Sequence, residues 1–210
     1  LIRRSNEVIP EILGALGDEG KEVEKITVCP YCKTPVVEVG ANLFCPNEDC
    51  RPRVLAKLAN FACKDGMNID GFSEKTAGVL YDEIGVENFS ELYTLDREKL
   101  VALDGFQDKK ADNLLSAIEK SKNVALPNFI FALGIDGVGK KTAKDLAKKL
   151  KTLGGIANAS VEELSALDDV GEVMSKSIFD YFRSEKNKNE IEKLLCAGVK
   201  IAEQTEIKSG

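Results

Sequence analysis

Residues 135–143 read Ile-Asp-Gly-Val-Gly-Lys-Lys-Thr-Ala, and related stretches begin at residues 69, 103 and 167. The third residues of the four stretches are Gly71, Gly105, Gly137 and Asp169, so the repeat spacing is 34, 32 and 32 residues. Each stretch has an aliphatic residue, then a turn with glycine beside an apolar residue, then an amphipathic pattern. Glycine suits such a turn because positive φ costs it nothing. The pattern predicts four units of helix, tight hairpin and helix, and a longer 64-residue period pairs them two by two.

The predicted helices after the four turns cover residues 77–84, 111–118, 142–150 and 174–182. A helix over residues 161–167 is predicted before the fourth turn, because Ser160 with Glu163 three residues later is a capping-box pattern. Periods of 32–34 residues also occur in tetratricopeptide and ankyrin arrays. The signature residues of both arrays are missing here, and the turn rather than the helix face is what repeats.

A glycine-containing turn at the start of a helix predicts an anion site, because the first amides point outward and the helix dipole adds positive charge. The third turn keeps both glycines, and Lys140 and Lys141 follow it, so we expect it to bind phosphate best. Within residues 133–153 only Asp136 and Asp145 oppose the basic residues. The alternative is that this lysine-rich helix is simply a solvated face. The candidate phosphate-binding residues are Gly71, Ser73, Gly105, Gln107, Gly137, Gly139, Lys140, Lys141 and Gly171.

Residues 134–142 also resemble a nucleotide-binding P-loop. In a P-loop, Ser or Thr must follow the Gly-Lys pair at once to bind Mg2+, and Lys141 stands at that position. No parallel strand is predicted before the stretch, so the P-loop interpretation is rejected.

Four of the six cysteines lie within 22 residues, in the spacing C-x2-C-x12-C-x4-C. The segment between them predicts a strand at residues 35–39, a turn at 40–42 and a strand at 43–44. Two thiolates on one tight turn, with a second pair brought back by a short hairpin, match a structural Zn2+ site with no open position. Two disulfides or an iron site remain as alternatives. The predicted metal ligands are Cys29, Cys32, Cys45 and Cys50, and the other two cysteines, Cys63 and Cys196, stand among apolar residues and are expected to be buried.

The composition of the 210-residue chain is that of a folded protein, with 43% hydrophobic, 30% charged and only 6% aromatic residues. The low aromatic content favours helices packed through aliphatic residues. Histidine is absent, which removes Ser-His-Asp triads and histidine metal ligands from consideration. The net charge of −6 argues weakly against nucleic-acid binding. No apolar run reaches membrane-spanning length, and we expect a cytoplasmic protein without a membrane partner.

Nearly the whole chain resembles the C-terminal part of bacterial NAD+-dependent DNA ligases. Residues 1–10 are similar to the end of that family's OB-fold domain, and Cys29-Pro30-Tyr31-Cys32 with Cys45-Pro46-Asn47 resemble its zinc module. Residues 61–71 and 131–135 resemble the segments that lead into its first and third hairpins. This sequence differs from the family's pattern at Asn60, where the family commonly has His, at residues 51–53 and at several of the turn glycines. The resemblance implies four parts: residues 1–14 end the OB-fold, 15–28 form a linker, 29–66 the four-cysteine zinc finger, and 67–210 the helix-hairpin-helix domain.

The expected fold is therefore mainly α, with a small zinc β-ribbon before four helix-hairpin-helix repeats and a strand near residues 1–4. The family's adenylated lysine lies in a Lys-x-Asp-Gly motif, and the nearest string here, Lys64-Asp65-Gly66, lacks the spacer. We therefore assign no catalytic residue, and expect NAD+ and Mg2+ to bind outside this chain and the chain alone to be inactive. The resemblance implies that it grips double-stranded DNA, especially nicked DNA, through minor-groove phosphates together with other ligase domains in cis. The alternatives are a non-enzymatic DNA-binding adapter for repair or recombination and a protein-binding helical array.

Overall fold

The computed structural model describes residues 25–203 in full and the backbone of residues 2–5 and 9–12. The chain forms two compact units, Leu1–Asn47 and Glu48–Gly210. In the first unit, strand β1 (Ile2–Ser5) pairs antiparallel with β2 (Ile9–Ile12). The strand expected near residues 1–4 is thus confirmed, whereas its partner was not predicted. Most of the predicted linker, residues 15–28, lies outside the described residues.

A two-stranded ribbon completes the described part of the first unit. Strand β3 (Val37–Val39) pairs antiparallel with β4 (Asn42–Phe44), with Val39 opposite Asn42. The connection uses Gly40 at φ +63°, a conformation that glycine adopts without steric cost. This ribbon confirms the strand–turn–strand prediction between the second and third cysteines.

The described part of the second unit is a set of ten α-helices that contains all four predicted hairpin units. The elements are α1 (Arg51–Ala62), α2 (Glu74–Ile84), a 3-10 helix (Ser90–Thr94), α3 (Arg97–Val101), α4 (Asp108–Ser121), β5 (Asn123–Ala125), α5 (Leu126–Ala132), α6 (Lys140–Leu150), α7 (Leu153–Asn158), α8 (Val161–Ser165), α9 (Glu172–Arg183), α10 (Glu185–Cys196) and β6 (Lys200–Ala202). Helices α1 and α2, α3 and α4, α5 and α6, and α8 and α9 pack as pairs. The longest described helix, α4, has 14 residues, and no described helix is long and apolar enough to span a bilayer.

Local capping sets several of these helix boundaries. The Ser160 hydroxyl accepts the Glu163 N–H, and the Glu163 carboxylate accepts the Ser160 N–H, which confirms the predicted capping box at the start of α8. Ser73 and Thr152 cap α2 and α7 through their hydroxyls. Helix α2 ends at Gly85, which is left-handed at φ +80°. Short polar residues and glycine therefore start and stop the helices as their chemistry predicts.

The core of the second unit is one continuous cluster built mainly from Leu, Ile, Val and Ala, as the low aromatic content predicts. Its aromatic centre is Phe61 on α1, which is fully buried and stacks on Phe89 with ring centroids 4.4 Å apart. The Tyr93 ring meets Phe61 edge-on at 6.4 Å. This trio joins α1 to the segment around the 3-10 helix.

Contacts between distant segments close the second unit. Strand β5 pairs in parallel with β6, and the paired residues are 77 positions apart in the sequence. This pairing was not predicted from the sequence. The Glu190 carboxylate on α10 accepts both the N–H and the hydroxyl of Ser90, at 2.7 and 3.0 Å. The Asn60 amide donates to the Phe131 carbonyl near the end of α5, which gives the residue that departs from the family pattern a structural role.

The expectation that both isolated cysteines are buried is wrong. Cys196 is exposed at the end of α10, and Cys63 is only half-buried after α1. Leu194 is fully buried, and two residues turn an α-helix by about 200°, so Cys196 points away from the core side.

Replacing Phe61 with Ala should lower the free energy of unfolding by about 3–5 kcal/mol, because the substitution removes a fully buried ring from its stacking partner and leaves a cavity. Urea denaturation followed by far-UV circular dichroism measures this change. The exposed Leu195→Ala on α10 is the control, with an expected change of about 0.5 kcal/mol or less. A destabilisation of under about 1 kcal/mol in Phe61→Ala would show that the trio does not hold α1.

Candidate nucleic-acid interface and metal site

The four hairpin turns share one backbone geometry. We define turn one as residues 69–73, turn two as 103–107, turn three as 135–139 and turn four as 167–171. In each, the carbonyl of the first residue accepts the N–H of the fourth, at 2.9–3.2 Å. The third residue has positive φ in all four, and these residues are Gly71, Gly105, Gly137 and Asp169, at +74°, +73°, +83° and +63°. The sequence repeat therefore reflects a repeated backbone shape.

The fourth and fifth residues of each turn fix its orientation. The fourth residue points inward: Phe106, Val138 and Val170 are buried, and Phe72 packs against the core. The fifth residue is the N-cap of the following helix, and these residues are Ser73, Gln107, Gly139 and Gly171. The Ser73 hydroxyl accepts one amide of α2, whereas no side chain caps α4, α6 or α9 at these turns. The first amides of these three helices are thus available to an outside acceptor.

Space around the turn glycines is open. A Cβ added to Gly71, Gly105, Gly139 or Gly171 would meet nothing within 4 Å. At Gly137 it would lie 3.4 Å from Met174 Cγ of α9. Four of these five glycines therefore face free space, as an anion-binding turn requires.

A lysine occupies the second helical position after the first three turns. These residues are Lys75, Lys109 and Lys141, and each is exposed. The candidate residues taken from the sequence include Lys141 but omit Lys75 and Lys109. Lys75 and Lys109 could have been found in the sequence by comparing the second residue after each predicted N-cap.

Turns one and two face a common groove. Its volume is about 410 Å3, and the lining includes Gly71, Phe106, Gln107, Lys109 and Lys110. The Lys110 ammonium lies 3.9 Å from the centre of the Phe106 ring and donates to the Gly105 carbonyl at 3.3 Å. The groove thus combines backbone, aromatic and cationic groups.

Turns three and four lie against each other. The Ser177 hydroxyl on α9 donates to the Asp136 carbonyl of turn three at 3.0 Å. Lys141 forms an ion pair with Asp169 of turn four. Together with the shared groove of turns one and two, these contacts confirm the predicted pairing of the units two by two.

Both lysines predicted at turn three have acidic partners that the local sequence count missed. Lys140 pairs with Asp65, and Lys141 pairs with Asp169. Lys141 lowers the pKa of the Asp169 carboxyl through its hydrogen bond and its charge, so Asp169 is ionised at neutral pH. Asp136 and Asp145 are therefore not the only opposing charges at turn three.

The four clustered cysteines bring their sulfur atoms together. The Sγ atoms of Cys29, Cys32, Cys45 and Cys50 all lie within 4.8 Å of one another. The first pair sits on a tight knuckle in which the Lys33 N–H donates to the Cys29 carbonyl at 2.9 Å, with Lys33 at φ +63°. A knuckle of this kind aims two sulfurs at one point.

The donor set fits a metal rather than disulfides. None of the six cysteines forms a disulfide, and the Sγ atoms of Cys32 and Cys45 lie 3.4 Å apart, well beyond an S–S bond. The Thr34 hydroxyl lies 3.3 Å from Cys32 Sγ. Hydrogen bonds from the Thr34 hydroxyl first, then from the Thr34 backbone, Cys45 and Asn47, lower the pKa of the Cys32 thiol to about 5. Thiolate is the form that binds metal. Four sulfur ligands would leave no position for a substrate, so the cluster has the donor set of a structural metal site.

Cys45→Ser should remove the bound metal, because three sulfurs and a weakly coordinating hydroxyl do not complete the ligand set. The metal content per chain after extensive dialysis, measured by plasma mass spectrometry, tests this. The matched control is Cys196→Ser, which changes an exposed thiol outside the cluster and should keep the wild-type content. Equal metal in the two variants would rule out the cluster as the site.

Comparison with known proteins agrees with these features. Residues 64–120 match a family described as a SAM-like helix-hairpin-helix tandem, and residues 128–191 match the helix-hairpin-helix motif. The two matches cover the two pairs of turns separately.

Two relatives illustrate the similarity over the whole chain. A DNA ligase of Clostridium botulinum (strain Hall) is 46% identical over 204 residues, which are 95% of this chain and 31% of that protein. DNA ligase 1 of Clostridium acetobutylicum is 45% identical over 211 residues, covering 98% of this chain and 32% of that protein. The chain spans about a third of the length of these curated relatives. The predicted relationship is confirmed: the chain is homologous to a part of the DNA ligases, and it contains helix-hairpin-helix motifs.

Proposed function

We propose that this chain is the DNA-binding C-terminal portion of an NAD+-dependent DNA ligase and that it grips duplex DNA by its phosphates. The observation that carries the proposal is the repeated turn, which has positive φ at its third residue, starts a helix at its fifth and is followed by a lysine at the second helical position. Three of the four turns have all of these features. The homology to DNA ligases supports the same assignment.

The binding chemistry follows from the turn geometry. The outward amides at a helix start donate to phosphate oxygens, and the helix dipole favours negative charge at that end. Lys75, Lys109 and Lys141 then place an ammonium beside those amides. The turns and helix starts that we propose as the binding surface also include Gly71, Ser73, Gly105, Gln107, Gly137, Gly139 and Lys140. Their contacts with DNA, like that of Gly171, stay predictions.

Such contacts position DNA without reading its sequence. Phosphates are the same at every step of the duplex, so binding should be independent of base sequence and sensitive to salt. The net charge of −6 does not oppose this, since lysines are placed at three of the turns. We therefore propose minor-groove phosphates of nicked duplex DNA as the target, with other ligase domains closing around the DNA in cis.

We assign Zn2+ to the cluster of Cys29, Cys32, Cys45 and Cys50. Four thiolates in a small ribbon are typical of structural zinc, which binds four such ligands in a tetrahedral arrangement. Zinc would stabilise the knuckle and the ribbon and take no part in the reaction.

The sealing reaction is assigned to parts of the ligase outside these residues, where NAD+ and Mg2+ would bind. Lys64-Asp65-Gly66, the string nearest to an adenylation motif, has structural contacts here. Asp65 pairs with Lys140, and a Cβ at Gly66 would lie 2.6 Å from the Phe61 carbonyl oxygen. These contacts support a packing role for the string.

Changing Lys75, Lys109 and Lys141 together to Ala should weaken binding to a nicked duplex by at least about tenfold at 50 mM salt. The slope of log K against log salt should become shallower by about 0.9 for each phosphate that the variant no longer neutralises. Fluorescence anisotropy with two labelled duplexes of unrelated sequence measures both quantities, and the two duplexes should behave alike.

The matched control changes Lys188, Lys193 and Lys200, three exposed lysines outside the turns, to Ala. It removes the same charge and should cost much less affinity. Equal weakening in the two triple variants would show that net charge alone drives binding. No binding by the unchanged chain would favour a protein-binding helical array.

A further inference from the structure

Turn four departs from the other three at the positions that matter for an anion. Its positive-φ residue is Asp169, where the others have glycine. The first helical residue after it is Glu172, and the second is Val173, where the others have lysine. Val173 is 87% exposed, the largest value among the exposed large hydrophobic residues of the described chain. Turn four therefore keeps the backbone shape of the other turns, but acidic and apolar side chains replace the glycine and the lysine.

Acidic residues also begin the helices after turns one and two, so Glu172 alone is not the difference. Asp108, the first residue of α4, is held by Arg97 at 2.8 Å, and lysine follows it. At turn four no lysine follows Glu172, and Asp169 lies within the turn itself. A phosphate at the amides of α9 would meet two carboxylates with no cation at the second helical position.

Asp169 also engages the neighbouring turn. Its carboxylate pairs with Lys141, the cation that would otherwise accompany a phosphate at turn three. Both side chains are largely exposed, so the pair is weak and DNA can compete for the lysine. The Asp169 carboxylate thus binds the Lys141 ammonium as a phosphate oxygen would.

We propose that turn four excludes phosphate, with Asp169 as the main contributor beside Glu172 and the missing lysine, so that DNA is held at turns one, two and three only. The inference rests on the proposed DNA-binding function and narrows it. Gly171 is then an N-cap of α9 and not a DNA contact. The third and fourth units pack as a pair, but only turn three of this pair would contact DNA.

Two matched glycines allow a direct test. Gly139 and Gly171 are both N-caps with extended backbone, at φ −88° and −78°, and both have open space where a Cβ would be. Aspartate is a favourable N-cap, so Gly139→Asp and Gly171→Asp should both fold. The variants carry the same added charge at equivalent positions of turns three and four.

Anisotropy with the nicked duplex at 50 mM salt should show about tenfold weaker binding for Gly139→Asp and less than twofold for Gly171→Asp. The salt slope should become shallower only for Gly139→Asp, by about 0.9 for one phosphate. Equal weakening in the two variants would overturn the exclusion of phosphate from turn four. If the unchanged chain binds DNA and neither variant weakens it, the role of turn three fails as well. If the unchanged chain does not bind, the proposed function itself fails.

A second pair of variants tests Asp169 itself. Asp169→Asn keeps a short polar side chain that tolerates positive φ and removes the charge. It should tighten binding about two- to fivefold, the range expected when an exposed ion pair no longer competes for Lys141. Asp168→Asn, one residue earlier in the same turn, removes the same charge and should tighten binding by a smaller factor. An equal or larger increase in affinity for Asp168→Asn would show that Asp169 has no special role.

Discussion

The structure of the second unit depends on one backbone constraint, the positive φ at the third residue of each hairpin turn. With that conformation, the first carbonyl reaches the fourth N–H and the chain reverses between two helices within five residues. The apolar fourth residue then turns into the core, and the fifth becomes the N-cap of the next helix. The outward amides follow from this reversal, so the feature that builds the fold also builds the surface that we assign to DNA.

The turns are packed against the core through their fourth residues. Phe106, Val138 and Val170 are anchored in a continuous aliphatic core, so each of these turns is held from behind while its tip faces outward. Charge is distributed separately from this scaffold. Lysine stands at the second helical position after three of the turns, and Asp65 and Asp169 reach the two lysines of turn three from other segments. The backbone can therefore repeat four times while the electrostatics of the four turns differ.

The first unit is organised on another principle. Of the nine exposed large hydrophobic residues in the described chain, seven lie within residues 26–44, so the ribbon has little core of its own. Three of the four cysteines of the cluster, Cys29, Cys32 and Cys45, belong to this unit. A metal bound by them would supply what the core lacks, because metal binding in such modules provides folding free energy directly, about 10–16 kcal/mol in zinc-finger peptides. The knuckle at Cys29 and Cys32 needs only local turns, which explains why its spacing could be recognised in the sequence.

Four local features could be predicted from the order of residues: the hairpin turns, the helices that follow them, the capping box at Ser160 and the cysteine cluster. These depend on contacts within a few residues, where glycine conformation, capping and thiol spacing act directly. The parallel pairing of β5 with β6, the exposure of Cys196 and the partners of Lys140 and Lys141 emerged only from the folded chain. They depend on which distant segments meet and which side of a helix faces the core. The partner of a charged side chain or of an edge strand is whichever group lies near it in the folded chain. Patterns within a few residues do not contain this information.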